Sequence, residues 1–117
     1  MRASSLVLLV ALVGCTTSGS VAPLSDASYP ALPGDARVEV TTGDLDVPYE
    51  ELAVVVVRPD ASWLGQSDAE EIAAMNEKLR TEARRIGAGA VVRVSYDVAG
   101  EHSRATGTAV RVGRRSR

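Results

Sequence analysis

Leu52-Ala53-Val54-Val55-Val56-Val57, an apolar run without a polar break, leads through a short connection into Ser67-Asp68-Ala69-Glu70, and these two stretches decide the fold. The first is too short for a helix and rich in β-branched side chains, so it reads as a strand covered on both faces. Pro59 stops it, because proline has no N–H to give to a ladder. The second is a capping box, in which the Ser67 hydroxyl accepts from the N–H three residues on while Glu70 reaches back to the N–H of Ser67. Ile72, Met75, Leu79, Ala83 and Ile86 then recur at three- and four-residue steps, one apolar stripe on a helix whose opposite face carries Glu71, Lys78 and Glu82. Gly87 ends this helix, with Arg84 and Arg85 placed against its C-terminal dipole.

Working outward, Arg37-Val38-Glu39-Val40-Thr41 alternates polar and apolar residues as a half-buried strand does, and Gly43-Asp44 turns the chain after it. Val92, Val94, Tyr96 and Val98 alternate with Arg93, Ser95 and Asp97, and Arg104 to Val112 supplies a last strand, so these two form an antiparallel hairpin across the Ala99–Ser103 turn. The strand at Leu52–Val57, the helix and the strand after it make a β-α-β unit. The expectation is an α+β domain: one four-stranded sheet, β-β-α-β-β in sequence, with a single helix packed on one face.

Composition narrows the chemistry. The chain has 117 residues, 45% hydrophobic and 24% charged, a net charge of -2, one Cys and one His. That allows one compact domain. A single Cys and a single His exclude an internal disulfide, a multi-thiolate metal site and the paired-imidazole sites of zinc enzymes, so no metal and no cofactor are expected.

The amino-terminal stretch is an export signal. Arg2 supplies a positive start, Leu6 to Val13 is unbroken apolar sequence, and Gly14-Cys15 follows at once. Those eight residues would rise only about 12 Å as a helix, far short of a ~30 Å hydrocarbon core. Leu12-Val13-Gly14-Cys15 resembles the lipobox of bacterial lipoproteins, which implies a diacylglyceryl group on the Cys15 thiol, cleavage before Cys15 and, often, acylation of the new amino terminus, palmitate among the acyl chains. Two or three chains give durable membrane attachment where one holds only marginally. Thr16, in place of the Asp that retains lipoproteins at the inner membrane, implies the outer membrane, facing the periplasm. The expected organisation is a signal peptide at 1–14, the lipidated Cys and a flexible tether at 15–36, the domain at 37–113 and a basic tail at 114–117. Pro23, Pro30 and Pro33 break any helical period in the tether, which would reach at most ~60 Å extended. Tyr29 within it reads as a solvated linker aromatic, with docking on the domain as the alternative.

Several motifs resemble the YbjQ-type domain: Val40-Thr41-Thr42-Gly43-Asp44-Leu45, Tyr49 with Leu52, Ala83 with Ile86-Gly87-Ala88 and Ala90-Val91, and Ala105-Thr106-Gly107-Thr108-Ala109-Val110. The layout is also similar to that of the outer-membrane sensor lipoprotein of the Rcs envelope-stress pathway. The resemblance implies a small α+β domain, self-association and, from the family's label, heavy-metal binding. This chain departs from both patterns: the sensor's Cys pairs are absent, and the domain offers one His and no free thiol for a soft metal.

No catalytic constellation stands out. His102 lies in the expected hairpin turn, where an exposed loop histidine is the simpler reading. Asp44, Asp46, Glu50, Glu51, Asp60 and Asp97 are scattered acids, and no Gly-x-Ser-x-Gly elbow is present. Gly87-Ala88-Gly89 follows a helix, whereas phosphate-cradling loops precede one. The candidate binding residues are Trp63 and Leu64, readable either as a core plug or as an exposed anchor, and the basic residues Arg111, Arg114 and Arg115. The function expected is a membrane-anchored periplasmic binding or assembly module, extending to envelope surveillance, that is not an enzyme. Its partners would be the membrane through the lipid and a protein or a second copy of the chain, with no nucleic acid. The alternative is a small-ligand or metal-binding lipoprotein using surface carboxylates and His102.

Overall fold

A computed structural model of the protein describes residues 19–59, 67–99 and 102–113. Its elements are β1 (Gly19–Pro23), β2 (Glu39–Val40), β3 (Tyr49–Val57), α1 (Asp68–Arg85), β4 (Ala90–Asp97) and β5 (Arg104–Val112). The strands form one sheet in the order β1-β3-β5-β4-β2. β2 runs parallel to β4, and every other neighbouring pair is antiparallel. One helix packed against a mixed sheet is the α+β class expected from the sequence, but the sheet has five strands rather than four and a different order.

The extra strand, β1, falls inside the stretch expected as a tether. Gly-Ser-Val-Ala-Pro lacks the β-branched alternation that marks a strand, and Pro23 argues against one. The structure accommodates both because β1 is an edge strand, where one side needs no ladder partner. Beyond β1 the chain stays on the domain: Leu24 N–H donates to the Leu52 carbonyl at 2.8 Å and Leu32 N–H to that of Arg84 at 2.8 Å. Arg84 Nε donates to the Ala36 carbonyl at 2.8 Å and Arg80 Nε to that of Val38 at 3.2 Å. The strand expected at Arg37–Thr41 shortens to Glu39–Val40, with Val38 buried beside it.

The second correction concerns the β-α-β unit. β4 and β5 form the expected hairpin, but β5 then pairs with β3 along its other edge, so the last strand lies between the two that α1 connects. Its helix-facing row is Ala105, Gly107 and Ala109, the smallest side chains available. A Cβ on Gly107 would sit 2.6 Å from Val91 Cγ1 and 2.8 Å from Val94 Cγ2, so only glycine lets those valines close over the middle of the sheet.

The core on this side joins Val55, Val57, Met75, Leu79, Ala83, Val91 and Val94, all buried, with Ile72 and Ile86 packed at its margin. The helix begins as the capping box predicts: Ser67 Oγ accepts from Glu70 N–H at 3.2 Å, and Glu70 Oε1 from Ser67 N–H at 2.9 Å. Just past its end, Gly87 takes φ +81°, and a Cβ there would lie 2.7 Å from the Pro30 carbonyl oxygen. Glu71 and Glu82, expected on the solvent face, are buried. Ser103 Oγ donates to Glu71 at 3.1 Å, and the Glu82 side chain lies against Gly19 of the extra strand.

The opposite face of the sheet departs from the two-sided burial expected of Leu52–Val57. Only Ala90, Val92 and Val110 are buried there, beneath Leu45 and Tyr49. Among the described residues no helix is long and apolar enough to cross a membrane.

Candidate binding surface

The helix-free face has two parts, and the backbone explains both. β3 changes register between Glu51 and Ala53, β4 between Val92 and Ser95, so a bulge lies on each flank of β5. Arg93, in the second bulge, has φ 53°, a left-handed conformation that a long side chain seldom adopts. Its N–H donates to the Gly43 carbonyl at 2.8 Å, which ties the Gly43 turn to the sheet. Its guanidinium crosses β5 and donates to Glu51 Oε2 at 2.6 Å and to the Tyr49 hydroxyl at 2.7 Å. Tyr49 in turn donates to Asp44 Oδ1 at 2.5 Å. The four side chains form one latch over Leu45, Val92 and Val110.

The electrostatics of the latch argue against acid-base work. The Asp44 carboxyl is held below its ordinary range, first by the Tyr49 hydrogen bond, then by the Leu45 N–H, with Arg93 adding to it. The Tyr49 phenol is raised, chiefly because it donates to Asp44. Both groups move away from neutrality, opposite to what a general acid or base needs.

Below the latch the middle of the face is uncharged, and Arg104 and Asp97, paired across β5 and β4, bound it at the far end. Val54 pairs with Thr108 and Val56 with Thr106, with Ala22, Ser20 and Ser95 beside them. Val54, Val56, Thr106 and Thr108 are only half-buried. These positions alternate with the helix-facing row, so all point to the side away from α1.

A second cluster holds the amino-terminal segment. Tyr29 donates to Glu50 Oε1 at 2.5 Å and Ser25 Oγ to Glu50 Oε2 at 3.0 Å, while the Arg111 guanidinium lies 4.1 Å from the Tyr29 ring centre. Tyr29 is therefore docked, the alternative to the solvated linker reading. Arg111 is the one candidate binding residue placed among the described residues, and its charge already rests on that ring. Trp63, Leu64, Arg114, Arg115, Cys15 and the lipobox residues Leu12, Val13 and Gly14 lie outside the described residues. His102 is exposed, and its N–H donates to the Ala99 carbonyl at 3.1 Å. No group of three or more His, Cys, Asp or Glu among the described residues could hold a metal ion. The groove between β2 and α1 is lined by Arg80 and Arg84, but both guanidinium groups are engaged by backbone carbonyls and Glu77.

Comparison with family models, curated proteins and solved structures returned no match. The resemblance to the YbjQ-type domain rests on its strand and turn motifs alone. Sequence reasoning missed both clusters because their members are far apart in the chain: Arg93 and Glu51 are joined only by the strand order, and Tyr29 meets Glu50 only because β1 pairs with β3.

Proposed function

We propose that this chain is a lipid-anchored module of the bacterial envelope, attached through Cys15 to the outer membrane on its periplasmic side, that works by binding and assembly rather than catalysis. The observation that carries the reading is the uncharged, half-buried patch of Val54, Val56, Thr106 and Thr108, which no helix covers, in a chain of which 24% is charged. Its occupant is a second copy of the same chain: these four uncharged side chains meet their own twins around a two-fold axis without like-charge repulsion, and Arg104 and Asp97 beside them offer the facing copy one charge of each sign. Anchoring adds to this by confining copies to one plane, which raises their effective concentration. The latch supports a non-catalytic role, since its titratable groups are spent on holding a loop.

Acylation consumes the native thiol, so an introduced cysteine is the only one left to react. Val56→Cys in membranes should give a disulfide-linked species of twice the chain's mass on oxidation, whereas Asp35→Cys, exposed and remote from this face, should not. A Val56→Cys chain that stays monomeric, or that crosslinks to a protein of different mass, overturns the self-assembly reading.

A further inference from the structure

We infer that the anchored domain lies directly on the lipid surface, with the β1 edge of the sheet against the headgroups. The inference rests on the acylation of Cys15 proposed above and goes beyond it. A free tether over 15–36 would allow the domain to stand tens of ångströms off the membrane, yet β1 is in register with β3 from its first residue, Gly19 opposite Val57. Only four residue steps separate Gly19 from Cys15, and four steps span at most ~14 Å. From Gly19 onward the segment is fastened, by the β1 ladder, by Leu24 on Leu52, by Tyr29 on Glu50 and by Leu32 on Arg84. Only those four steps are left with which to lift the body away.

The composition of that edge suits the partner. Val21 (36% exposed) and Leu24 (50% exposed) are two of the four large apolar side chains exposed among the described residues, and both belong to this edge. Arg58 follows Val57, the partner of Gly19, and Arg85 stands beside the same corner, its side chain half-exposed. Among the described residues at that corner the carboxylate is Glu82, which is buried and accepts two hydrogen bonds from Arg85. Apolar side chains flanked by arginines match an interface of acyl chains below anionic phosphates.

The test uses the full chain, expressed in a bacterial host and purified in detergent. Its intact mass is measured first. Ser20→Cys and Asp35→Cys chains, each carrying a donor dye on the introduced thiol, are then placed in vesicles of phosphatidylethanolamine and phosphatidylglycerol containing a headgroup-labelled acceptor lipid. The residue-20 dye should lose most of its emission and the residue-35 dye much less. A flexible Gly/Ser insertion after Thr17 should restore the residue-20 emission. An acylated chain whose residue-20 dye is no more quenched than its residue-35 dye, or whose quenching survives the insertion, overturns the apposition while leaving the anchor intact. A chain whose mass lacks acyl groups overturns both.

Discussion

Arg93 holds a backbone conformation that costs a non-glycine L-residue roughly 1–2 kcal/mol. It persists because the Gly43 carbonyl and the Tyr49, Asp44 and Glu51 side chains fix it from both ends. Two variants separate these contributions. Arg93→Ala loses the side-chain bonds but keeps the unfavourable φ, whereas Arg93→Gly loses the same bonds and removes the strain. In urea unfolding the glycine variant should be the more stable of the two by about 1 kcal/mol. Equal stabilities would mean that the backbone there is not strained. Gly107→Ala runs the other way: its Cβ meets two valine methyls, so overpacking of about 1–3 kcal/mol is expected as a lowered urea midpoint. Neither residue advertised itself in the sequence. Arg93 read as the polar member of an alternating strand and Gly107 as a small residue in another, since a bulge and a methyl-sized gap exist only once three strands are side by side. Glu71 and Glu82 read as solvent-facing for the same reason: helical period alone does not show that Ser103 and Gly19 come to cover them.

The loop latched by Asp44, Tyr49 and Arg93 gives the β2–β3 connection a pH dependence of known sign. A carboxylate whose folded pKa is depressed stabilises the fold above its unfolded value of ~3.9 and loses that contribution as pH falls through the folded value. The Asp44→Asn chain lacks this contribution, so it should be less stable than the native chain at neutral pH and converge with it in acid. Urea midpoints measured from pH 7 down to pH 3 check this, and parallel curves would contradict it. Tyr49 acts on the alkaline side, because its raised pKa favours the neutral phenol. Its contribution is present below ~10 and lost as pH rises through the folded value. Elements with strong local signals were legible: the Ser67–Glu70 box, the Ile72–Ile86 stripe, the stop at Gly87 and the β4–β5 hairpin depend on neighbours in sequence. β1 was not, because five small residues ending in proline become a strand only through the partner edge that β3 offers. The order of the strands was hidden too, since adjacency of β3 and β5 depends on long-range pairing of their rows.

For the whole molecule, the amino-terminal segment counts as part of the folded body. Deleting residues 16–32 from an otherwise intact chain should lower the urea midpoint, because it uncovers Glu82 and the β3 edge and removes the partner of Glu50. A dispensable tether would leave the midpoint unchanged. The unlike treatment of the two sheet faces was only half visible beforehand: the sequence showed one helix, but the Val-rich run suggested cover on both sides. β5 sets a further condition on how this protein is made. Its two neighbours in the sheet are both synthesised before it, so β3 and β4 lack their shared central partner until the last strand has been made. A stop before Arg104 should therefore leave no central strand to join β3 to β4, whereas one that removes only Val112 costs a single terminal pairing with Tyr49.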